Sequence, residues 1–119
     1  MSWEFEIEDQ AYLECVYDLN DGTFIVAYSS YDFYSGNKSD SKLVKYNKEG
    51  DILWETTISF GDLWNQFTVD SIEPNGDNLM IKSGGYQNGW NTETIINKDG
   101  QILDQKVWDE DGNIIDNLK

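Results

Sequence analysis

Histidine and arginine are absent from this 119-residue chain, proline and cysteine occur once each, and all eight basic residues are lysines. Without histidine there is no Ser-His-Asp or Cys-His nucleophile, no imidazole acid or base, and no histidine-ligated zinc or iron. Without arginine there is no planar fork for bidentate binding of phosphate or carboxylate. Cys15 has no second cysteine, so neither an internal disulfide nor a thiolate metal cluster can form; within Tyr12-Leu13-Glu14-Cys15-Val16-Tyr17 it reads as a small buried strand residue. No apolar run approaches the ~18 residues of a membrane span. Met1-Ser2-Trp3-Glu4 lacks the basic and apolar regions of a signal peptide, so a cytoplasmic location is expected. Neither a cofactor nor a metal is expected, and no catalytic residue is assigned.

Negative charge is plentiful: 23 acids against 8 lysines leave a net charge of −15. Phosphate backbones and anionic membranes are repelled by such a surface, so direct nucleic-acid and membrane binding are both disfavoured. The charge is uneven: residues 1–40 hold nine acids and one lysine, against seven and four in 41–82 and seven and three in 83–119. Such asymmetry suggests a steered encounter with a partner more than general solubility. With 39% hydrophobic and 14% aromatic residues, the composition is that of a folded chain. The length predicts one domain, 1–119, that buries roughly two-thirds of its unfolded surface.

An internal repeat organises the domain into halves near 1–60 and 61–119. Lys42–Trp54 aligns without gaps on Thr92–Asp104 at an offset of 50, sharing Asn-Lys-(Glu/Asp)-Gly-x-Ile-Leu. Asn and the acid favour a type I turn, and Gly adopts the positive φ that ends it. A second hairpin signal precedes each copy: Asn20-Asp21-Gly22 before Phe24–Tyr28, and Asn75-Gly76-Asp77 before Leu79-Met80-Ile81. Period-2 alternation places one apolar face on Leu13, Cys15, Tyr17 and Leu19, and another on Ile52, Trp54, Thr56 and Ile58. The expected strands are 11–19, 23–30, 42–47 and 51–59, then 66–73, 78–84, 92–97 and 101–108. Asp109-Glu110-Asp111-Gly112-Asn113 reads as a further tight turn, because Val107 and Leu118 fall where a calcium loop needs acids.

The run Lys45-Tyr46-Asn47-Lys48-Glu49-Gly50-Asp51-Ile52-Leu53-Trp54-Glu55 resembles the last hairpin of bacterial, quinoprotein-like β-propeller blades. No stretch of 11 or more residues shows helical spacing, so an all-β chain is expected, and the resemblance implies two four-stranded antiparallel meander units. The second copy departs from it in carrying Asp104 where Trp54 stands. Two blades do not close a ring of the usual size. The units therefore pack as a sandwich or half-barrel, or are completed by homo-oligomerisation.

The tight turns of a meander gather at one end and the longer connections at the other, where binding residues accumulate. Those connections carry Tyr31, Phe33, Tyr34, Trp64, Tyr86 and Trp90 among Gly, Ser and Asn, a mixture suited to contact. Near the N-terminus Trp3, Phe5 and Ile7 alternate with Glu4, Glu6 and Glu8, and Asp9 follows. An extended strand spaces such carboxylates about 6.6 Å apart. The expected function is a non-enzymatic, acidic protein-binding module. It would be an inhibitor, or an immunity or anti-defence protein, that blocks a basic nuclease or nucleic-acid-binding protein. Glu4, Glu6, Glu8 and Asp9 would steer, Tyr31, Phe33, Tyr34 and Trp90 would anchor, and Trp64 and Tyr86 would add to the partner-binding surface. The alternative is a carbohydrate- or ligand-binding, propeller-like module assembled from several chains.

Overall fold

The computed structural model describes residues 11–32, 37–38, 41–59, 67–85 and 89–115. Their strands are β1 (Ala11–Asp18), β2 (Thr23–Asp32), β3 (Asn37–Lys38), β4 (Ser41–Asn47), β5 (Ile52–Ile58), β6 (Phe67–Asn75), β7 (Asn78–Gly85), β8 (Asn91–Ile96) and β9 (Ile102–Trp108). No helix occurs among the described residues. Two antiparallel meanders result, β1-β2-β4-β5 and β6-β7-β8-β9, with β3 adding a short ladder on the end of β2. They pack face to face on one core and do not close into a barrel. The all-β, two-sheet reading therefore holds.

The turns follow from their residues. Gly50 N–H donates to Asn47 O, while Asn47 Oδ1 accepts from the amides of Glu49 and Asp51. Asn97 repeats this with Asp99, Gly100 and Gln101, and Asp109 repeats it with Asp111, Gly112 and Asn113. The closing glycines have φ of 88°, 83° and 86°. The hairpin between β6 and β7 is tighter than the sequence suggests. β6 runs on through Pro74 to Asn75, with Gly76 at φ 63° as the first central residue of the turn. Pro74 is tolerated because β6 is an edge strand, where a missing N–H breaks no ladder bond.

Both sheets carry bulges at matching places. One extra residue, Glu14, interrupts β1 opposite β2, and one extra residue, Asp70, interrupts β6 opposite β7. Leu53 and Leu103 do the same in β5 and β9. A bulge inverts the alternation beyond it. The two expected apolar faces are thus corrected. Cys15, Tyr17, Leu19 and Trp54 do pack on the core, but Leu13 and Ile52 turn outward, 56% and 58% exposed.

Cross-strand partners share a face, so the registers define two faces for each sheet. The inner face of the first presents Cys15, Tyr17, Ile25, Ala27, Leu43, Trp54 and Ile58; that of the second presents Phe67, Val69, Ile72, Leu79, Ile81, Ile96 and Val107. Ile25, Leu43, Ile81 and Ile96 are fully buried, each contributing about 1.5–3 kcal/mol relative to exposure. A second cluster, Val26, Tyr28, Val44 and Tyr46, occupies the outer face of the first sheet and is also closed to solvent.

The repeat makes this packing directional. Aligning the bulges and turns puts Ile25, Ala27, Leu43 and Trp54 of the first sheet's inner face on Met80, Lys82, Glu93 and Asp104, which lie on the second sheet's outer face. The sheets therefore stack head to tail, like against unlike face. Such packing is open, because it leaves one face of each kind without a sheet packed on it.

Candidate functional site

Among the expected contact residues, Trp90 alone has a described side chain. It is half-buried, packs against the shared core, and donates its indole N–H to Glu110 Oε2 at 2.7 Å. Gly85 N–H donates to Trp90 O at 2.7 Å, which ties this segment to the end of β7. Tyr31 lies at the end of β2, its backbone paired with Lys38. Glu4, Glu6, Glu8, Asp9, Phe33, Tyr34, Trp64 and Tyr86 lie outside the described residues. Tyr31 and Trp90 share the end of the sheets opposite the tight turns, as the meander topology requires.

The most elaborate polar arrangement centres on Glu14, which the sequence reading does not single out. The β1 bulge aims its half-buried carboxylate between the sheets. Oε2 accepts from Ser29 Oγ at 2.6 Å, and Oε1 accepts from Ser41 Oγ at 2.7 Å and from the Val69 N–H at 3.0 Å. This side chain joins β1, β2, β4 and β6. The local sequence does not mark it, because its partners come from β2, β4 and β6. At the turn end, Trp54 Nε1 donates to Lys98 O at 3.0 Å and Thr56 Oγ1 donates to Gly100 O.

Asp70, the counterpart of Glu14, faces the other way. Its Oδ2 stands 2.9 Å from where a Cβ on Gly84 would sit, on the outer face of the second sheet. Beside it is a shallow depression of 410 Å³ bordered by Asp70, Ser71, Lys82, Asn91, Glu93 and Trp108. Lys82 Nζ lies 3.0 Å from Glu73 Oε1, and that hydrogen bond, then the Glu73 charge, raises the lysine's pKa.

Other titrating groups follow from their surroundings. Burial pushes the Cys15 thiol up; a backbone hydrogen bond from Ile72 opposes this, and the charges of Asp70 and Glu14 add to it. The thiol form is therefore favoured over the nucleophilic thiolate. The Asn113 amide, ahead of that of Asp111, holds the Asp109 carboxyl below its ordinary value. The Thr23 hydroxyl and amide do the same for Asp21. No group of three or more metal-ligating side chains occurs among the described residues. No helix among them is long and apolar enough to cross a membrane.

Comparison with known proteins finds no matching family model, no matching curated protein and no matching solved structure.

Proposed function

We propose that the chain is a non-enzymatic, acidic binding module of the cytoplasm. It acts as an inhibitor, or an immunity or anti-defence protein, that occupies a basic surface on a nuclease or nucleic-acid-binding protein. The observation that carries this reading is the charge surplus: 23 acids against 8 lysines, with Lys42 and Lys82 already committed to Glu55 and Glu73. At least fifteen carboxylates thus have no lysine to neutralise them. Long-range attraction then accelerates encounter with a cationic partner, and a few aromatic anchors slow dissociation. The absence of histidine and arginine, together with a Cys15 thiol kept protonated, supports a role without bond-making chemistry. Glu4, Glu6, Glu8 and Asp9 take the steering role; Tyr31, Phe33, Tyr34 and Trp90 take the anchoring role, with Trp64 and Tyr86 as further partner-binding residues.

The test begins with affinity capture from the native host at low salt, using the intact protein and a variant with Glu4, Glu6 and Glu8 changed to Gln. The association rate of the purified pair is then measured against ionic strength. A basic protein is expected, with an association rate falling about tenfold or more from low to physiological salt. An association rate indifferent to salt refutes the charge argument.

A further inference from the structure

The head-to-tail stacking lets the molecule display the ligand of its own unused face. Around Glu14 the first sheet's inner face is occupied: the β6 edge from Phe67 to Val69 lies across it, the Val69 N–H donates to Glu14, and Ser41 Oγ approaches Phe67 O. The inner-face residues around Glu14 have counterparts around the depression on the second sheet. Glu14 corresponds to Asp70, Cys15 to Ser71, Ala27 to Lys82, Ser41 to Asn91, Leu43 to Glu93, and Ile58 to Trp108. The depression is thus the seat that β6 fills in the first sheet, repeated one sheet further on. Ser29, which bonds Glu14, is replaced by Gly84, and the Asp70 carboxylate rests where a side chain there would stand.

We propose that this seat docks an extended, basic segment of a partner protein, whose edge backbone N–H is accepted by Asp70 as that of Val69 is by Glu14. Three observations choose this occupant. An edge-strand amide is the group that the matching carboxylate already binds in this chain, and strand addition of this kind draws affinity from main-chain hydrogen bonds. The face carries Asp70, Glu73, Glu93 and Asp104 against Lys82 and Lys106, with Lys82 held by Glu73, so it favours cationic side chains on the incoming strand. A second copy is the poorer occupant. It would bring a further net charge of −15 to a face already rich in acids, and of the outer face it would have to offer, Leu13 and Val16 are exposed while Val26, Tyr28, Val44 and Tyr46 are already covered within one chain.

The basic character of the segment rests on the function proposed above; the seat itself does not. The experiment titrates the full-length, isotope-labelled protein with an alternating Lys-Val decapeptide, the same peptide N-methylated at alternate residues along one edge or along the other, and an alternating Thr-Val decapeptide. Amide shifts are expected at Ser71, Lys82 and Asn91, with the Trp108 indole moving as well. Binding should weaken tenfold or more on N-methylation of the edge that meets Asp70, and equally for Asp70→Asn with the unmodified peptide. Shifts confined to other residues, or equal affinity for the peptide methylated on either edge, overturn the docking site. If the Lys-Val peptide binds elsewhere with strong salt dependence, the docking site fails and the charge reading survives. If Thr-Val binds the seat as tightly as Lys-Val and salt has no effect, the seat stands and the charge reading fails. The methylated peptides need no variant, so the outcome does not depend on how Asp70→Asn folds.

Discussion

Replacing Glu14 by alanine tests the packing logic most directly, because one carboxylate bridges both sheets. The variant loses an acceptor for two serine hydroxyls and for the Val69 amide. Hydrogen bonds to a charged group contribute about 1.5–3 kcal/mol each, but the hydroxyls can rotate to new partners, so the three do not add. Ser41 Oγ already lies 3.5 Å from Phe67 O, an alternative acceptor. The Val69 N–H cannot turn away, and leaving such a donor unpaired costs about 1–3 kcal/mol. Together these give about 2–4 kcal/mol for Glu14→Ala. Glu14→Gln costs about 1–2 kcal/mol, since the amide oxygen still accepts from Val69. In urea, with a slope of about 1–3 kcal/mol per molar, the alanine variant's midpoint falls by about 1–2 M. Asp70→Asn, at the matching but outward-facing bulge, stays within about 0.5 kcal/mol of the parent. A Glu14→Ala variant as stable as the parent, or an Asp70→Asn variant as damaged as Glu14→Ala, refutes the assignment of inner and outer faces.

Gly100→Ala and Gly112→Ala separate two causes of glycine selection. Both positions have positive φ, but a Cβ at Gly100 would stand 2.6 Å from the Trp54 ring while one at Gly112 meets nothing within 4 Å. Thermal or urea unfolding should show about 1–2 kcal/mol lost at Gly112 and about 2–5 at Gly100; equal losses would mean that the Trp54 contact contributes nothing. Asp109→Asn should preserve its turn, because Asn47 and Asn97 fill the same role. The folded-state carboxyl is depressed, so its contribution is present above the unfolded pKa and disappears as pH falls through the folded one. The variant's stability profile should be flatter below about pH 4, and an unchanged acid limb counts against this linkage. Cys15 should react with a thiol reagent far more slowly than a free cysteine at pH 7, gaining full reactivity in urea; prompt native-state reaction contradicts a raised pKa and a core-packed thiol.

Strands and turns were legible in the sequence because each has a local cause. Asn47, Gly50, Asn97 and Gly100 write their hairpins through side-chain acceptors and positive φ, and the strands end within about two residues of where alternation stops. The bulges were not legible. Leu13, Cys15, Tyr17 and Leu19 alternate without interruption, and nothing local reveals that Glu14 is an extra residue with Leu13 beyond it on the opposite face. Only the partner strands impose that register. The Glu14 network was missed for the same reason, since its donors come from 15, 27 and 55 residues away. Asp104 was visible as a departure from Trp54, but its meaning needed both sheets. Trp54 covers the turn of the next sheet, whereas Asp104 meets no further sheet among the described residues.

That substitution belongs to a pattern that decides where the stack stops. A head-to-tail stack extends until one exposed face is made unfit for another sheet. On the second sheet Ala27, Leu43 and Trp54 have become Lys82, Glu93 and Asp104, so docking a further apolar face would strip water from these charges and supply no new partner for them. At the other end, the centre of that apolar face, Val26, Tyr28, Val44 and Tyr46, is already excluded from solvent, which leaves Leu13, Val16 and Ile52 exposed around it. Sedimentation at tens of micromolar should therefore give the 13.7 kDa monomer rather than a ring of several chains. Restoring the apolar pattern with Lys82→Ala, Glu93→Leu and Asp104→Trp should create concentration-dependent association, because these changes rebuild a contiguous apolar surface. A parent protein that sediments as a closed oligomer would show that charge on this face does not terminate the stack, and the docking seat on it would then already be occupied by a neighbouring copy.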